Sequence, residues 1–199
     1  MYMTRVVLKR VPPPNIIHGI LSAAFPGERN RETNENLWRV DDLENSKELL
    51  IVSPNAPELQ RIVREIGVLD ARNKTLDYKP FLGRIDQGQT WNFRLCANPV
   101  EHKKQNRNGK RGKIYALRSV TEQLEWLDRK SAEHGFDVKG CSVAGDTWKV
   151  FDAVRIRAVT FEGLLAVDNA EKFRVALMKG IGRGKAYGCG LLTIARTQV

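Results

Sequence analysis

Three histidines, His18, His102 and His134, carry the side chains of this sequence best suited to moving protons near neutrality. Little else offers familiar catalytic chemistry. There is no H-E-x-x-H, no G-x-S-x-G and no group of Asp/Glu at metal-ligand spacing, and two-metal phosphodiester chemistry needs several converging carboxylates. A route needing neither metal nor cofactor remains for RNA, whose own 2′-hydroxyl can attack the adjacent phosphate. That route requires a general acid or base and cations around the charged phosphorane. His102 lies in a polar, basic run, and His134 precedes Gly135 at a helix end, where a cation is ordinarily stabilising. His18 sits on a short helix just after a proline-set turn and is the histidine best placed for a fixed role, although a surface histidine is more often structural.

The second chemical feature is the stretch from Gly180 to Gly190, with five glycines in eleven residues and the cations Arg183 and Lys185 among them. Such a backbone can take positive φ and come close to a ligand. It is no Walker loop: Gly180 to Gly184-Lys185 is one residue short, and Ala186 stands where Ser or Thr is needed. Two readings stay open. The loop cradles a phosphate on Gly182, Arg183 and Lys185, or it is a glycine C-cap followed by a tight turn.

Charge points to a polyanion. The 199 residues include 33 Lys+Arg against 23 Asp+Glu, a net charge of +10. A membrane is disfavoured, because no run approaches the ~20 apolar residues of a spanning helix. The most basic segment, 102–113, holds Lys103, Lys104, Arg107, Lys110, Arg111 and Lys113 without one acid, and Asn108-Gly109 marks a hairpin turn. Six cations on a hairpin can follow a nucleic-acid backbone without reading its sequence. Arg155 and Arg157 share one strand face, either as RNA contacts or as ordinary solvent charges. Trp91, Phe93, Tyr115 and Trp126 could stack on bases, but their spacing favours the core for most of them. Three widely spaced cysteines, Cys96, Cys141 and Cys189, form no disulfide framework or zinc pattern, as expected of small buried residues in a reducing cytoplasm.

The elements that must position these residues read in order. Strand 3–11 is broken by Pro12-Pro13-Pro14. A helix from about 15 to 24 follows, with Ile16, Ile17, Ile20, Leu21 and Ala24 on one face and His18 and Ser22 on the other. Strands at 37–43 and 48–53, a helix at 56–66 and a weaker strand at 75–82 complete one βαββαβ series. The second series opens with strand 90–98. Ser119-Val120-Thr121-Glu122 reads as a capping box, opening a helix with Val120, Leu124 and Leu127 inward. Strands at 136–151 and 154–167, a helix capped by 168–171 and a closing strand at 190–196 follow. The fold class is α+β, with two tandem ferredoxin-like domains of the RNA-recognition layout, expected at 1–84 and 88–199.

With these elements in place, the residues resemble the CasE family, the CRISPR repeat endoribonuclease of the type I-E Cascade complex. The resemblance rests on Met1-Tyr2-Met3 leading into a Val-rich strand and on His18 with Phe25-Pro26 seven and eight residues on. It continues through Phe93-Arg94-Leu95-Cys96-Ala97-Asn98-Pro99 and Phe161-Glu162-Gly163, and closes with Gly180-Ile181-Gly182…Gly188-Cys189-Gly190-Leu191-Leu192. It implies a metal-independent ribonuclease that cuts precursor CRISPR RNA once per repeat, at the 3′ base of the repeat hairpin. The products would be a 2′,3′-cyclic phosphate and a 5′-OH, with the enzyme staying on the mature RNA and joining the other Cascade subunits. The catalytic histidine of the family transfers to His18, as acid or as base. The glycine loop would support the RNA backbone, the 102–113 hairpin would meet the RNA stem, and Arg94 joins the expected RNA contacts. One position departs: the family tyrosine three residues before the histidine is Asn15 here. That keeps alive an alternative, a subunit that holds an RNA hairpin without cutting it.

Overall fold

The computed structural model describes residues 1–25, 36–103, 113–151 and 154–197. Its first half runs β1 (Tyr2–Val7), α1 (Pro14–Ala24), β2 (Leu37–Leu43), β3 (Ser46–Ser53), α2 (Leu59–Ile66), β4 (Lys74–Asp77) and the single turn α3 (Lys79–Leu82). The second half runs β5 (Thr90–Ala97), β6 (Val100–Lys103), β7 (Lys113–Ala116), α4 (Val120–Glu133), β8 (Phe136–Phe151), β9 (Val154–Val167), α5 (Ala170–Lys179), a 3-10 turn (Lys185–Tyr187) and β10 (Leu192–Arg196).

The strands form two four-stranded antiparallel sheets, ordered β2-β3-β1-β4 and β10-β5-β9-β8, with β6 and β7 as a separate ribbon. The first sheet reads 2-3-1-4 in its own numbering, the ferredoxin-like order. In the second, leaving the ribbon aside and numbering β5, β8, β9 and β10 as one to four, the same row reads 4-1-3-2, which is that order from the opposite edge. The α+β fold expected from the sequence is therefore the one observed, twice over.

Local chemistry explains most boundaries. Pro14 is the first residue of α1, where a missing N–H costs nothing. Ser119 and Glu122 form the expected capping box: the Ser119 hydroxyl accepts from the Glu122 amide, and the Glu122 carboxylate accepts from the Ser119 amide at 3.0 Å. Asn169 caps α5 by accepting from the Lys172 amide at 3.0 Å. Three expectations need correcting. The segment 75–82 is a strand only to Asp77; Pro80 then sits in a helical turn, where Tyr78 stacks on Phe81 at 5.3 Å. Val120 faces solvent rather than the core, because it is the first residue of its helix and the buried stripe is Gln123, Trp126, Leu127 and Ser131. Ile16 is likewise 49% exposed, leaving Ile17, Ile20, Leu21 and Ala24 as the buried face of α1.

Two cores result. One lies under the first sheet, among α1, α2 and the strands, and includes Ile17, Leu21, Trp38, Ile51 and Ile62. The larger one fills the second half and also takes Leu37 and Val52 from the first. That sharing is reinforced by Arg39 on β2, only 3% exposed. Its guanidinium pairs with both Asp41 oxygens, at 2.7 and 2.8 Å, and donates to the carbonyls of Arg94 and Leu191 at 2.9 and 3.0 Å and to Thr193 Oγ1 at 2.8 Å. A buried guanidinium is tolerable when its donors are occupied. Here they reach into β5 and β10 of the other half.

Candidate active site at the seam between the two sheets

His18 is half-buried in the second turn of α1, and Asn15, one turn earlier, is exposed. The Ser22 hydroxyl donates to the His18 carbonyl at 2.8 Å. The helix is held by its apolar face on the first core, and its far neighbours are the 3-10 turn of the glycine loop and strand β8. The helix that bears the histidine of one half is thus set against the loop and a strand of the other.

All five glycines of the loop have positive φ, between 72° and 92°. Gly188 shows why no side chain is tolerated: a Cβ there would lie 2.7 Å from the Trp38 ring, at φ +77°. Much of the loop's backbone is used internally. Gly180 donates to Ala176 as a helix cap, Ile181 to the Gly190 carbonyl, Tyr187 and Cys189 to that of Gly184, and Gly190 to that of Cys96 at 2.6 Å. The two readings of the loop therefore divide its length. Its ends are a C-cap and tight turns, and the arc 182–186, with Arg183 and Lys185, lies between them. Arg183 is exposed, with Nη1 3.3 Å from His102 Nε2 on β6; the Lys185 ammonium donates to the Lys179 carbonyl at 2.6 Å.

Lys149, near the end of β8, stands at the candidate site and was not picked out by sequence reasoning. Its ammonium donates to the Tyr187 carbonyl of the 3-10 turn at 3.1 Å and sits 6.0 Å from the centroid of the Trp38 ring. Trp38 packs in the same core as Ile17 and Leu21, the residues around His18. Among the described residues Lys149 has no carboxylate partner. No local pattern marks it; a lone lysine in an alternating strand looks like any solvent-facing charge.

The other expected contacts fall in different places. Arg94 is committed at the seam, donating to Glu162 and lying 3.2 Å from Asp41. Arg157 is held by Asp146 through contacts of 2.7 and 2.5 Å, and it also reaches the Arg118 carbonyl at 3.2 Å. This bidentate hydrogen bond holds the Asp146 carboxyl below its ordinary range. Arg155 is exposed and stacked 4.3 Å over Trp148, itself 39% exposed. That pair offers a cation and a partly open ring together. Lys113 is exposed on β7 and Lys103 is the last residue of β6, whereas Lys104, Arg107, Lys110 and Arg111 lie outside the described residues. Of the candidate stacking rings, Phe93 and Trp126 are buried, Trp91 is half-buried and Tyr115 is 47% exposed. Among the described residues no three His, Cys, Asp or Glu side chains are grouped as metal ligands, and no helix is long and apolar enough to cross a membrane.

Two ferredoxin-like sheets sharing a seam, with a histidine from one and a glycine-rich loop from the other, define a tandem ferredoxin-like protein. The chain belongs to the CRISPR-associated protein family, whose model matches residues 1–196. The likeness to CasE read from the residues is shown along the chain. It is 28% identical to the CRISPR system Cascade subunit CasE of Escherichia coli K12, covering 98% of this chain and 99% of that one. It is 27% identical to the CRISPR-associated endoribonuclease Cse3 of Thermus thermophilus, over 98% and 100%. The structure of Thermus thermophilus Cse3 bound to an RNA representing a pre-cleavage complex superposes with a TM-score of 0.76 at 28% identity, over 98% of each chain.

Proposed function

We propose that the protein is a metal-independent endoribonuclease that cuts CRISPR repeat hairpins in precursor RNA and stays on the mature RNA as a subunit of Cascade. The two units of the reading are residues 1–84, which bring His18, and 88–199, which bring the cations. The observation that carries it is the meeting of α1 with the glycine loop and, across the seam, Lys149, which has no carboxylate partner among the described residues. The relationship to an endoribonuclease and a Cascade subunit supports the substrate class.

In the proposed reaction the 2′-oxygen attacks the adjacent phosphorus and the bond to the 5′-oxygen breaks. The proton leaving the 2′-hydroxyl goes to a base, and the departing 5′-oxygen takes one from an acid. The products are a 2′,3′-cyclic phosphate and a 5′-OH. His18 serves one of these two transfers. Lys149 supplies positive charge where the phosphorane gathers negative charge, and it stands in for help that Asn15 cannot give, since an amide does not donate a proton as an acid. Gly182, Arg183 and Lys185 support the RNA backbone, while the β6–β7 ribbon and the Arg155–Trp148 pair receive the stem. Arg94 and Arg157 act at one remove, as ion-paired supports of the surface.

The test is single-turnover cleavage of end-labelled repeat hairpin RNA in excess EDTA, comparing the protein with His18→Ala. A second substrate carries one 2′-deoxy nucleotide just upstream of the cut. The expected result is one cut at the hairpin base, a fall of about 10²–10⁴-fold in His18→Ala with binding retained, and no cut in the deoxy substrate. Tight binding without any cut would replace this reading with that of an RNA-holding subunit. Cleavage surviving His18→Ala would place the active site elsewhere.

A further inference from the structure

Two nucleophiles beside the site are left unused by that chemistry. Cys96 on β5 and Cys189 in the glycine loop are both buried, and they share a small core cluster with Ile156 and Ala158. The Gly190 amide on the Cys96 carbonyl, at 2.6 Å, ties the residue after Cys189 directly to the strand that holds Cys96. Neither thiol neighbours a third cysteine or a histidine in any metal-type grouping among the described residues, so the pair has the makings of a dithiol rather than a half-built metal site.

Their surroundings separate them into unlike partners. The neighbouring Cys189 thiol draws Cys96 below the usual thiol range, and the charges of Lys149 and Arg39 and the Thr160 hydroxyl act the same way, against the opposing cost of burial. Cys189 is pushed up, first by the neighbouring Cys96 thiol and then by burial. One sulfur is prepared to attack and the other to resolve. Cys141, half-buried and pushed up to about 11 by burial, has no such help.

We propose that Cys96 and Cys189 are an oxidation site, at which a peroxide converts the pair to an intramolecular disulfide that fixes the glycine loop to β5. The Cys96 thiolate attacks one peroxide oxygen, the O–O bond breaks, and hydroxide leaves, giving a sulfenic acid. Cys189, losing its proton to that hydroxide, then attacks the sulfenic sulfur. The S–S bond forms as the S–O bond breaks, and the second hydroxide leaves as water once protonated. Two thiols and one hydrogen peroxide become one disulfide and two waters. The loop so tethered is the one whose Tyr187 carbonyl holds Lys149.

The full chain is treated with hydrogen peroxide, quenched, alkylated with iodoacetamide and digested for mass spectrometry. The expected product is a cross-linked pair of peptides containing residues 96 and 189, lighter by two hydrogens, with Cys141 still alkylated and dithiothreitol restoring all three thiols. In Cys189→Ser, dimedone should trap a sulfenic acid at Cys96. Amide hydrogen exchange across residues 182–187 should slow about tenfold or more in the oxidised protein. The proposal is overturned by oxidation of Cys141 ahead of the pair, or by the absence of a 96–189 link in the wild-type digest, which needs no variant to fold. Unchanged exchange in the linked protein would overturn the tethering of the loop.

Discussion

The two halves of this molecule share one topology and spend it differently. In the first, strands of four to eight residues make a plain sheet covered by α1 and α2, and the proposed chemistry rests on a single histidine on a helix. In the second, β8 and β9 extend to 16 and 14 residues, a ribbon is inserted after β5, and the last crossover helix ends in the glycine loop. Sheet order is dictated by burying one face of each sheet under helices, and it tolerates such additions because they leave from the ends of strands and helices. The comparison teaches that repetition of a fold supplies the frame, while the seam between the two sheets supplies the proposed site.

The sharpest way to break that picture is to cut the seam. Arg39→Met keeps much of the bulk but removes five polar contacts, leaving the carbonyls of Arg94 and Leu191 without their donor. Breaking a buried pair from one side costs about 3–5 kcal/mol, so the urea midpoint should fall by a corresponding amount. If the midpoint hardly moves, the halves do not depend on each other through this residue.

A smaller effect tests which half supplies the charge. Lys149→Ala should lower the single-turnover cleavage rate by about 10²-fold while RNA affinity changes little, and Lys149→Arg should recover most of the loss. An equal loss in both variants, or a loss confined to affinity, would reduce Lys149 to a prop for the Tyr187 carbonyl. Asn15→Tyr works from the other side of the seam. It should raise the same rate by up to about tenfold, and no change or a fall would count against a missing phenol there.

The smallest effect concerns the second sheet alone. Asp146 is held below its ordinary 3.8 mainly by its hydrogen bond to Arg157. Because the folded pKa is the depressed one, this pair stabilises the protein above the unfolded value, near 3.9, and the contribution disappears as pH falls through the folded value. Asp146→Asn should therefore cost about 1 kcal/mol or less at pH 7 and show a shallower loss of stability on acidification. Parallel acid limbs for the two proteins would refute the assignment.

Much of the frame was legible in the sequence because it is written locally. Alternation marked β8 and β9 to the residue, Ser119 and Glu122 announced α4, and the glycines declared a loop of unusual backbone. What stayed hidden depends on distance along the chain. Nothing near Lys149 says that it will meet Tyr187 and Trp38, and Leu37-Trp38-Arg39-Val40 looks like any strand until β5 and β10 are laid beside it. Arg94 shows the same limit: nothing beside it in the sequence says that its partners will be Asp41 and Glu162, 53 and 68 residues away. The exposed Val120 and Ile16 were smaller misreadings, errors of helix phase at the first turn.

The ring of Trp38 under Gly188, with Leu37 against Gly180 and Arg39 on the Leu191 carbonyl, sets a timetable for biosynthesis. While the ribosome is still making the second half, β2 must wait with its neighbours missing, a tryptophan uncovered and a guanidinium unengaged. Only when residues 180–193 have emerged can that surface close. A chain stopped short of them would retain its histidine without the loop that faces its helix, so a newborn copy gains its proposed catalytic site only after residues 180–193 are made.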